Sequence, residues 1–263
     1  MPDLDLHLAM ETARAAAEAA AAASLAHFRR GVRVEVKPDR TPVTQADRDA
    51  EAAILEVVRR AFPGHAVLGE ESGAHAGSAR FRWIVDPVDG TKGFTRGREF
   101  WGPLVALEVD GRVEAGAMAL PARGEVYWAA RGLGCWLSAG GAEPARLSVS
   151  GVGEWGSASL SLGEPQVLFR PPLLERVGRL ATSCSTARCY GDLAGCALVL
   201  RGQAEAWVEA GVQIWDIAPL QVLVEEAGGR FTDLEGRPTH ASGACLASNG
   251  LVHDHVLAVL AGR

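Results

Sequence analysis

The chain has 263 residues, of which 48% are hydrophobic and 22% are charged, and its formal net charge is -6 at pH 7. This length suits one large domain or two closely packed halves, and the composition is that of a folded globular protein and excludes intrinsic disorder. The acidic balance argues against nucleic-acid binding, because no surplus of lysine and arginine is present to neutralise many phosphates.

The cysteines and the N-terminus favour a cytoplasmic protein. The cysteine count is odd, at five, and no C-x-x-C pair occurs, which disfavours both a disulfide framework and a zinc site. The first residues carry acids rather than a basic segment followed by an apolar run, so no secretory signal is predicted. No apolar run reaches the roughly 18 residues of a membrane span, and we expect no membrane partner.

The chain begins with an alanine-rich segment over residues 4–30. This segment predicts one long helix, because alanine has the highest helix propensity, and Gly31 is expected to end it. A short strand over 32–36 and a loop over 37–42 follow.

The segment Thr44-x-x-Asp47 resembles a capping box and predicts a second helix that runs to about Phe62. Asp47 would then lie in the first turn of that helix. A carboxylate there interacts favourably with the helix dipole, so Asp47 alone has an adequate structural explanation.

Two predicted strands are followed by carboxylates. Glu70 follows a strand over 66–68, and Asp86 follows a strand over 81–85, with a polar connection over 74–80 between them. The two acids would therefore lie at the ends of successive strands. Taken alone, Glu70 could equally be a solvated loop residue.

The turn from Asp86 to Thr91 places two carboxylates on a stiff backbone. Pro87 fixes its own φ and restricts Asp86, while Asp89 follows three residues after Asp86. Gly90 allows the backbone to approach a ligand closely, and Thr91 supplies a hydroxyl. Because Mg²⁺ prefers hard oxygen ligands and often bridges carboxylates to phosphate, the turn predicts a magnesium-dependent phosphate site.

Residues 100–150 predict an antiparallel sheet, and Asp110-Gly111 is a strong hairpin signal within it. Glu108 and Glu114 are expected at ordinary exposed positions. The sheet strands are predicted over 104–109, 113–120 and 126–130.

Residues 151–156 satisfy the G-x-G-x-x-G pattern of dinucleotide-binding folds. Residues 157–162 alternate like a strand and do not open a helix, so the structural context of that fingerprint is missing. We interpret the match as fortuitous.

In the remaining chain, Asp192 is predicted to act as the N-cap of a helix that ends near Leu200. Asp216 stands before a helix over 217–227, and a capping role worth about 1 kcal/mol would by itself explain it. His253 and His255 are expected to decorate a final helix rather than to bind metal. Further elements are predicted as a helix over 172–181 and strands over 204–208, near 231 and over 245–248.

Three motifs occur in order along the chain: Gly69-Glu70-Glu71-Ser72, then Trp83-Ile84-Val85-Asp86-Pro87-Val88-Asp89-Gly90-Thr91, then Trp215-Asp216 ahead of Glu226-Ala227-Gly228-Gly229. Together they resemble the inositol monophosphatase family of magnesium-dependent, lithium-sensitive phosphatases, over nearly the whole chain. The resemblance implies an α/β (α+β layered) sandwich of alternating helix and sheet layers. It further implies two halves, residues 1–150 and 151–263, packed as one catalytic unit.

The resemblance also implies a metal site. Glu70, Asp86 and the backbone carbonyl of Val88 would hold one Mg²⁺, and Asp86, Asp89 and Asp216 would hold a second. Asp86 would bridge the two ions, and the family allows a loosely held third ion near Glu70.

The implied catalytic residues are Asp47, Thr91 and Glu70. Asp47 and Thr91 match the pair that orients the attacking water, and the backbone at Gly90 and Thr91 would receive the phosphate. A phosphate monoester is already dianionic, so attack by water needs positive charge, a deprotonated nucleophile and stabilisation of the leaving oxygen, which two metal ions can supply. No G-x-S-x-G elbow or Ser-His-Asp arrangement is present, which agrees with direct attack by water.

For the substrate, Lys92 and the segments 187–192 and 215–220 look most like the histidinol-phosphatase branch of the family. The ammonium and imidazole of histidinol phosphate would be favoured by nearby carboxylates, for which Asp192 and Glu209 are candidates. The glutamate matched by Glu209 also serves inositol hydroxyls and does not discriminate. Arg188 could contact substrate or could pair with a neighbouring acid. The implied substrate contacts are Asp89, Gly90, Thr91, Arg188, Asp192, Glu209 and Asp216.

Other functions stay open at this point. An inositol monophosphate and a 3′-phosphoadenosine-type bisphosphate are alternative substrates for the same chemistry. A regulatory or RNA-associated binding module of the same fold is the alternative outside enzymes, although every implied metal ligand is present. The family commonly forms homodimers, so a homodimer is expected.

Overall fold

The structure, a computed structural model, describes residues 4–31, 33–36 and 42–263. The α-helices in these residues are α1 (Leu6–Leu25), α2 (Gln45–Ala61), α3 (Thr91–Phe94), α4 (Pro165–Leu168), α5 (Leu173–Ser183), α6 (Asp192–Leu200), α7 (Ile214–Glu226) and α8 (His253–Leu260). The strands are β1 (Glu35–Val36), β2 (Pro42–Val43), β3 (His65–Gly69), β4 (Gly73–His75), β5 (Ser78–Asp89), β6 (Gly102–Val109), β7 (Arg112–Leu120), β8 (Glu125–Ala130), β9 (Gly134–Ala139), β10 (Ala145–Arg146), β11 (Ser159–Leu162), β12 (Thr186–Arg188), β13 (Ala206–Ala210), β14 (Arg230–Thr232) and β15 (Ala244–Ser248).

Two main sheets and three helix layers alternate through the molecule, and β1 and β2 form a further two-stranded sheet. The eight-stranded sheet has the order β10-β9-β8-β7-β6-β5-β3-β4, and the five-stranded sheet has the order β12-β11-β13-β15-β14. Helices α1 and α2 cover one face of the large sheet, and α7 packs on its other face together with α6. The small sheet contacts α6 and α7 on one side and α5 and α8 on the other. The predicted α/β sandwich of alternating layers is confirmed.

Three apolar clusters hold these layers together. One lies between α1, α2 and the large sheet, a second between the two sheets around α6 and α7, and a third between the small sheet and α5 and α8. The first uses alanines of α1 that are fully buried, including Ala9, Ala13 and Ala16. Small side chains allow α1 to lie close to the sheet, which is why an alanine-rich sequence can form a buried helix there.

The first two helices follow their local signals closely. Asp5 caps α1 by accepting a hydrogen bond from the amide of Leu8 at 3.0 Å. The capping box at Thr44 and Asp47 is present and α2 begins directly after Thr44. Helix α1 ends at Leu25 and not near residue 30, because the chain tightens into turns in which the amide of Phe28 donates to the carbonyl of Leu25.

Several boundaries differ from the sequence prediction around the short strands. The connection predicted over 74–80 is partly strand, because β4 pairs with β3 and β5 already begins at Ser78. Pro42, predicted as loop, pairs with Val36 between β2 and β1. Val32 and the loop residues 37–41 lie outside the described residues.

The antiparallel sheet predicted for residues 100–150 is confirmed, with β6 to β10 paired in succession. The strand predicted after the glycine pattern is also confirmed as β11, so the G-x-G-x-x-G segment opens no helix. Glu108, however, is not exposed. It is buried on β6, where its carboxylate pairs with Arg82 at 2.7 Å and with His240 at 2.9 Å, and these partners keep its pKa below the usual value.

Candidate active site

A cavity of about 960 Å³ opens between the two sheets, at the point where β5, β13 and α7 present their acidic residues. The turn after β5 forms one wall, and the first turns of α6 and α7 with the end of β13 form the other. Its lining includes the following predicted site residues: Glu70, Asp86, Val88, Asp89, Gly90, Thr91, Asp192, Glu209 and Asp216.

Three carboxylates meet inside this cavity. Asp86, Asp89 and Asp216 each place an oxygen within 4.8 Å of the others. Asp86 and Asp89 are 2% and 9% exposed, respectively, and Asp216 is half-buried. Residues 130 positions apart in sequence, Asp86 and Asp216, thus reach one point in space.

The end of β5 positions the first two of these acids. Strand β5 runs past Pro87 to Asp89, and its pairing with β6 becomes irregular between Asp86 and Asp89, so both side chains can turn toward the cavity. The amide of Val88 donates to Oδ1 of Asp86 at 2.8 Å. The amide of Leu193, in α6, donates to Oδ2 of Asp89 at 2.7 Å and ties this turn to the opposite wall.

Helix α7 positions the third acid. Its N-cap is Gln213 and not Asp216, which lies in the first turn and accepts a hydrogen bond from the amide of Gln213 at 2.7 Å. The predicted cap at Asp216 was therefore wrong in position, because the helix begins earlier, at Ile214. One oxygen of Asp216 serves the helix and the other is left for the cavity.

Burial and mutual repulsion raise the pKa of each acid in this cluster. Burial raises the pKa of Asp86 well above its usual value, and the nearby charges of Glu70, Asp89 and Asp216 raise it further. The pKa of Asp89 is raised well above its usual value by burial and by Asp192 and Asp216. Burial raises the pKa of Asp216 to about 6. Crowded carboxylates of this kind are stabilised as anions by a cation among them.

Glu70 lies at the cavity wall, directly after β3. Its amide donates to the carbonyl of Val85 at 3.1 Å, which places the end of β3 beside the end of β5, as the sequence predicted. The turn that carries Glu70 is stabilised by Glu51 of α2, which is 3% exposed. The carboxylate of Glu51 accepts hydrogen bonds from the amides of Glu71 and Ser72 at 2.9 and 2.8 Å.

Asp47 and Thr91 come together as predicted. The hydroxyl of Thr91 lies 3.3 Å from Oδ1 of Asp47 and 2.9 Å from the carbonyl oxygen of Val88. Oδ2 of Asp47 accepts hydrogen bonds from the amide and the hydroxyl of Thr44, both at 2.7 Å. Burial raises the pKa of Asp47, although the Thr44 hydrogen bonds oppose this effect.

Gly90 brings the backbone of the turn from Asp86 to Thr91 against the opposite wall of the cavity. Its φ is +81°, and a Cβ there would lie 2.9 Å from the carbonyl oxygen of Phe100 and 3.2 Å from Oδ2 of Asp192. A larger residue would therefore be strained both in its backbone and in its contacts. Asp192 thus stands directly beside this turn.

Asp192 does not act as the predicted N-cap, since Gly191 occupies that position. Asp192 has φ +55°, an uncommon conformation that aspartate tolerates better than most residues. Its carboxylate is directed into the cavity region beside Gly90. Burial raises the pKa of Asp192 and Glu164 adds to this effect, while Lys92 lowers it.

Glu209 lies within β13, which extends two residues beyond the predicted strand end at 208. Its Oε1 accepts hydrogen bonds from the amides of Glu164 and Ala210 at 2.7 and 3.1 Å. Burial raises the pKa of Glu209 to about 7. Gly163 is required beside it, because a Cβ there would lie 1.9 Å from the carboxylate.

Arg188 is the one predicted contact that the structure does not bring to the cavity. Its side chain is exposed at the end of β12 and donates to the carbonyl oxygen of Ala187 at 2.7 Å. Among the described residues it makes no ion pair, so neither of its two predicted roles has a partner here. Lys92 does line the cavity, with Nζ 4.0 Å from Oε2 of Glu164.

Sequence reasoning missed Glu51 and Glu164. Glu51 stands four residues after Asp47, so the two buried acids share one face of α2, and this spacing was a signal. Glu164 follows β11 after the single residue Gly163, and a carboxylate shortly after a strand is the pattern that indicated Glu70.

A model of the family described as the inositol monophosphatase family matches residues 5–262. The chain belongs to the inositol monophosphatase family. A histidinol-phosphatase of Mycobacterium tuberculosis is 45% identical over 226 residues, which cover 86% of this chain and 87% of that protein.

Solved structures agree with this family at the level of the fold. The crystal structure of the extragenic suppressor protein SuhB from Bartonella henselae superposes with a TM-score of 0.84 at 28% identity, covering 97% of each chain. Inositol monophosphatase from Anabaena superposes with a TM-score of 0.83 at 27% identity, covering 98% of this chain and 97% of that one.

This inositol monophosphatase family member is a phosphoric monoester hydrolase that acts on small-molecule phosphate monoesters. The family depends on Mg²⁺, and the Asp86, Asp89 and Asp216 cluster fits such an ion because it offers crowded carboxylate oxygens with raised pKa values. Among the described residues, no helix combines the length and the apolar character needed to cross a bilayer.

Proposed function

We propose that this phosphatase hydrolyses L-histidinol phosphate to L-histidinol and phosphate, as a step of histidine biosynthesis. The observation that carries the proposal is the position of Asp192 and Glu209, two carboxylates that line the same cavity as the aspartate cluster, with Glu209 buried and Asp192 exposed to the cavity. They offer negative charge where the ammonium and imidazole of this substrate need a partner. The similarity to a histidinol-phosphatase supports the same choice.

Two metal positions are proposed in the cavity. Glu70, Asp86 and the carbonyl of Val88 would hold one Mg²⁺, Asp86, Asp89 and Asp216 would hold the other, and a weak third ion would bind near Glu70. When bound, the ions neutralise phosphoryl oxygens, lower the pKa of the attacking water and stabilise the leaving oxygen.

Asp47 and Thr91 are proposed to handle the proton of the attacking water. Thr44 occupies Oδ2 of Asp47, which leaves Oδ1 for the hydroxyl of Thr91. As water attacks phosphorus, the Thr91 oxygen accepts a proton from the water and gives its own proton to Oδ1 of Asp47. The raised pKa of Asp47 makes it a better base than an ordinary aspartate for this transfer.

The remaining contacts bind and orient the substrate. The amides of Gly90 and Thr91 are proposed to receive the phosphate, and the φ of Gly90 keeps this turn open to it. Asp192 and Glu209 bind the cationic part. Arg188 is left out of this set, because its exposed side chain lies away from the cavity lining.

We also propose that residues 1–150 and 151–263 act as two halves of one catalytic unit in a cytoplasmic homodimer. The aspartate cluster supports the first point, since it takes Asp86 and Asp89 from one half and Asp216 from the other. Light scattering of the purified chain tests the homodimer, which predicts twice the monomer mass of 27.6 kDa.

A substrate panel tests the proposed function. Purified protein with Mg²⁺ is assayed on histidinol phosphate, inositol 1-phosphate and 3′-phosphoadenosine 5′-phosphate. We expect kcat/KM to be at least about a hundredfold higher for histidinol phosphate. A higher value for inositol phosphate would overturn the choice of substrate, and no turnover of any of the three would favour a binding module, a possibility raised by the similarity to SuhB.

A further inference from the structure

Phe100 and Tyr190 form an aromatic pair at the mouth of the cavity. Their ring centroids lie 6.1 Å apart, with an angle of 66° between the ring planes. Each side chain is 41% exposed and both residues line the cavity. Neither ring is needed for the core, so the exposed aromatic surface is available to a ligand.

The backbone fixes this pair beside the groups that are proposed to bind substrate. The carbonyl oxygen of Phe100 lies directly against Gly90, since a Cβ there would be 2.9 Å from it. Tyr190 precedes Asp192 by two residues, and its carbonyl oxygen accepts a hydrogen bond from the hydroxyl of Ser161 at 2.8 Å. The Phe100 ring is therefore held beside Gly90, in the turn proposed to bind phosphate. The Tyr190 ring is held beside Asp192, the acid that faces this turn.

We propose that Phe100 and Tyr190 are specificity-determining residues that receive an aromatic, cationic ring of the substrate. This inference rests on the proposed function, in which a short aliphatic stem joins the phosphate to an imidazole ring. With phosphate at Gly90 and ammonium at Asp192, the ring is left to contact the two aromatic side chains. Aromatic faces attract imidazolium and pack against neutral imidazole, whereas a sugar-like polyol gains little from them.

The test compares two substrates that differ in the ring alone. Histidinol phosphate is assayed against 2-aminobutyl phosphate, which keeps the phosphate, the stem and the ammonium and has a methyl group in place of imidazole. The readout is the ratio of the two kcat/KM values, measured for wild type, Phe100→Ala, Tyr190→Ala and Tyr190→Phe. Phe169→Ala is the matched control, because Phe169 is 45% exposed and does not line the cavity.

We expect each alanine variant at the cavity mouth to lower this ratio about tenfold, and Tyr190→Phe and Phe169→Ala to keep it. A loss of folding would lower both kcat/KM values together and leave the ratio unchanged, so the ratio isolates recognition of the ring. An unchanged ratio in both alanine variants, with their kcat/KM for 2-aminobutyl phosphate at the wild-type value and wild type still preferring histidinol phosphate to inositol phosphate, would overturn the role of the aromatic pair alone. A wild-type enzyme that does not prefer histidinol phosphate to inositol phosphate would overturn the proposed function and this inference with it.

Discussion

The amide of Leu193 donates a hydrogen bond to Oδ2 of Asp89 at 2.7 Å, across 104 positions of sequence. This contact joins the turn that carries the metal motif to the helix that carries Asp192. Since Asp192 also lies beside Gly90, the turn proposed to bind phosphate and the wall proposed to bind the rest of the substrate are positioned by the same pair of elements. In the proposed function, the groups that bind phosphate and those that select the substrate are therefore held in place together by the start of α6.

Metal binding should control stability as well as activity. Because burial and neighbouring acids raise the pKa values of Asp86, Asp89 and Asp216, the cluster is strained when no cation neutralises it. We expect millimolar Mg²⁺ to raise the melting temperature, since it binds the folded state. Asp216→Asn should melt higher than wild type in the presence of a chelator, and should gain less from added Mg²⁺.

Differential scanning fluorimetry in chelator and in a Mg²⁺ titration measures both effects. Glu143→Gln is the matched control, because Glu143 is exposed outside the cavity, and it should melt like wild type in either condition. Equal gains from Mg²⁺ in wild type and Asp216→Asn would show that the cluster is not the metal site.

Glu51 should act as a positioning residue for Glu70. Glu51→Gln keeps the shape of the side chain but turns one acceptor into a donor beside the amides of Glu71 and Ser72. Disruption of one buried hydrogen bond costs about 1–3 kcal/mol, so the turn carrying Glu70 should loosen. We expect the Mg²⁺ concentration for half-maximal activity to rise about tenfold.

Initial rates over a Mg²⁺ titration provide this measurement, and Glu56→Gln, on the exposed face of the same helix, is the control. If Glu51→Gln lowered thermal stability and left the Mg²⁺ dependence unchanged, its role would be structural only.

The buried residue His253 should make stability depend on pH. Its ring lies between the hydroxyls of Thr232 and Ser248, at 2.9 and 2.8 Å, and burial lowers its pKa from 6.5 to about 4. Between pH 4 and pH 6.5 the unfolded state therefore binds more protons at this histidine than the folded state does. The free energy of unfolding therefore has its full value above pH 6.5. It decreases as the pH falls toward 4, by up to about 3 kcal/mol.

Urea unfolding at pH 7.5, 6.0 and 5.0 measures this dependence. We expect His253→Asn to reduce the loss of unfolding free energy between pH 7.5 and 5.0, whereas His255→Asn, on the exposed face of α8, should keep the wild-type loss. Identical losses in all three proteins would assign the pH dependence to other groups.

Sequence reasoning succeeded where the signal was local. The capping box at Thr44 and Asp47 and the turn from Asp86 to Thr91 depend on residues a few positions apart, and both are formed. The layered fold was predicted from the family resemblance, and the structure confirms it.

Features that depend on distant contacts could not be predicted in the same way. Glu108 was expected at the surface because no local pattern marks its partner His240, which lies 132 residues away in sequence. Asp192 was expected to cap a helix. Instead it has a left-handed backbone conformation and lies against Gly90, and no local sequence pattern predicted either feature. Glu209 depends on the amide of Glu164, 45 residues earlier, for its place in the cavity.

The most direct test of the aspartate cluster as the catalytic metal centre is the rate of phosphate release by Asp89→Asn. Asparagine keeps an acceptor for the amide of Leu193, so the fold should remain intact and circular dichroism should match wild type. With saturating Mg²⁺ and histidinol phosphate, we predict a loss of at least about 10²–10³-fold in kcat, while Glu143→Gln retains the wild-type rate. Wild-type-like phosphate release by Asp89→Asn would contradict the assignment of the metal centre.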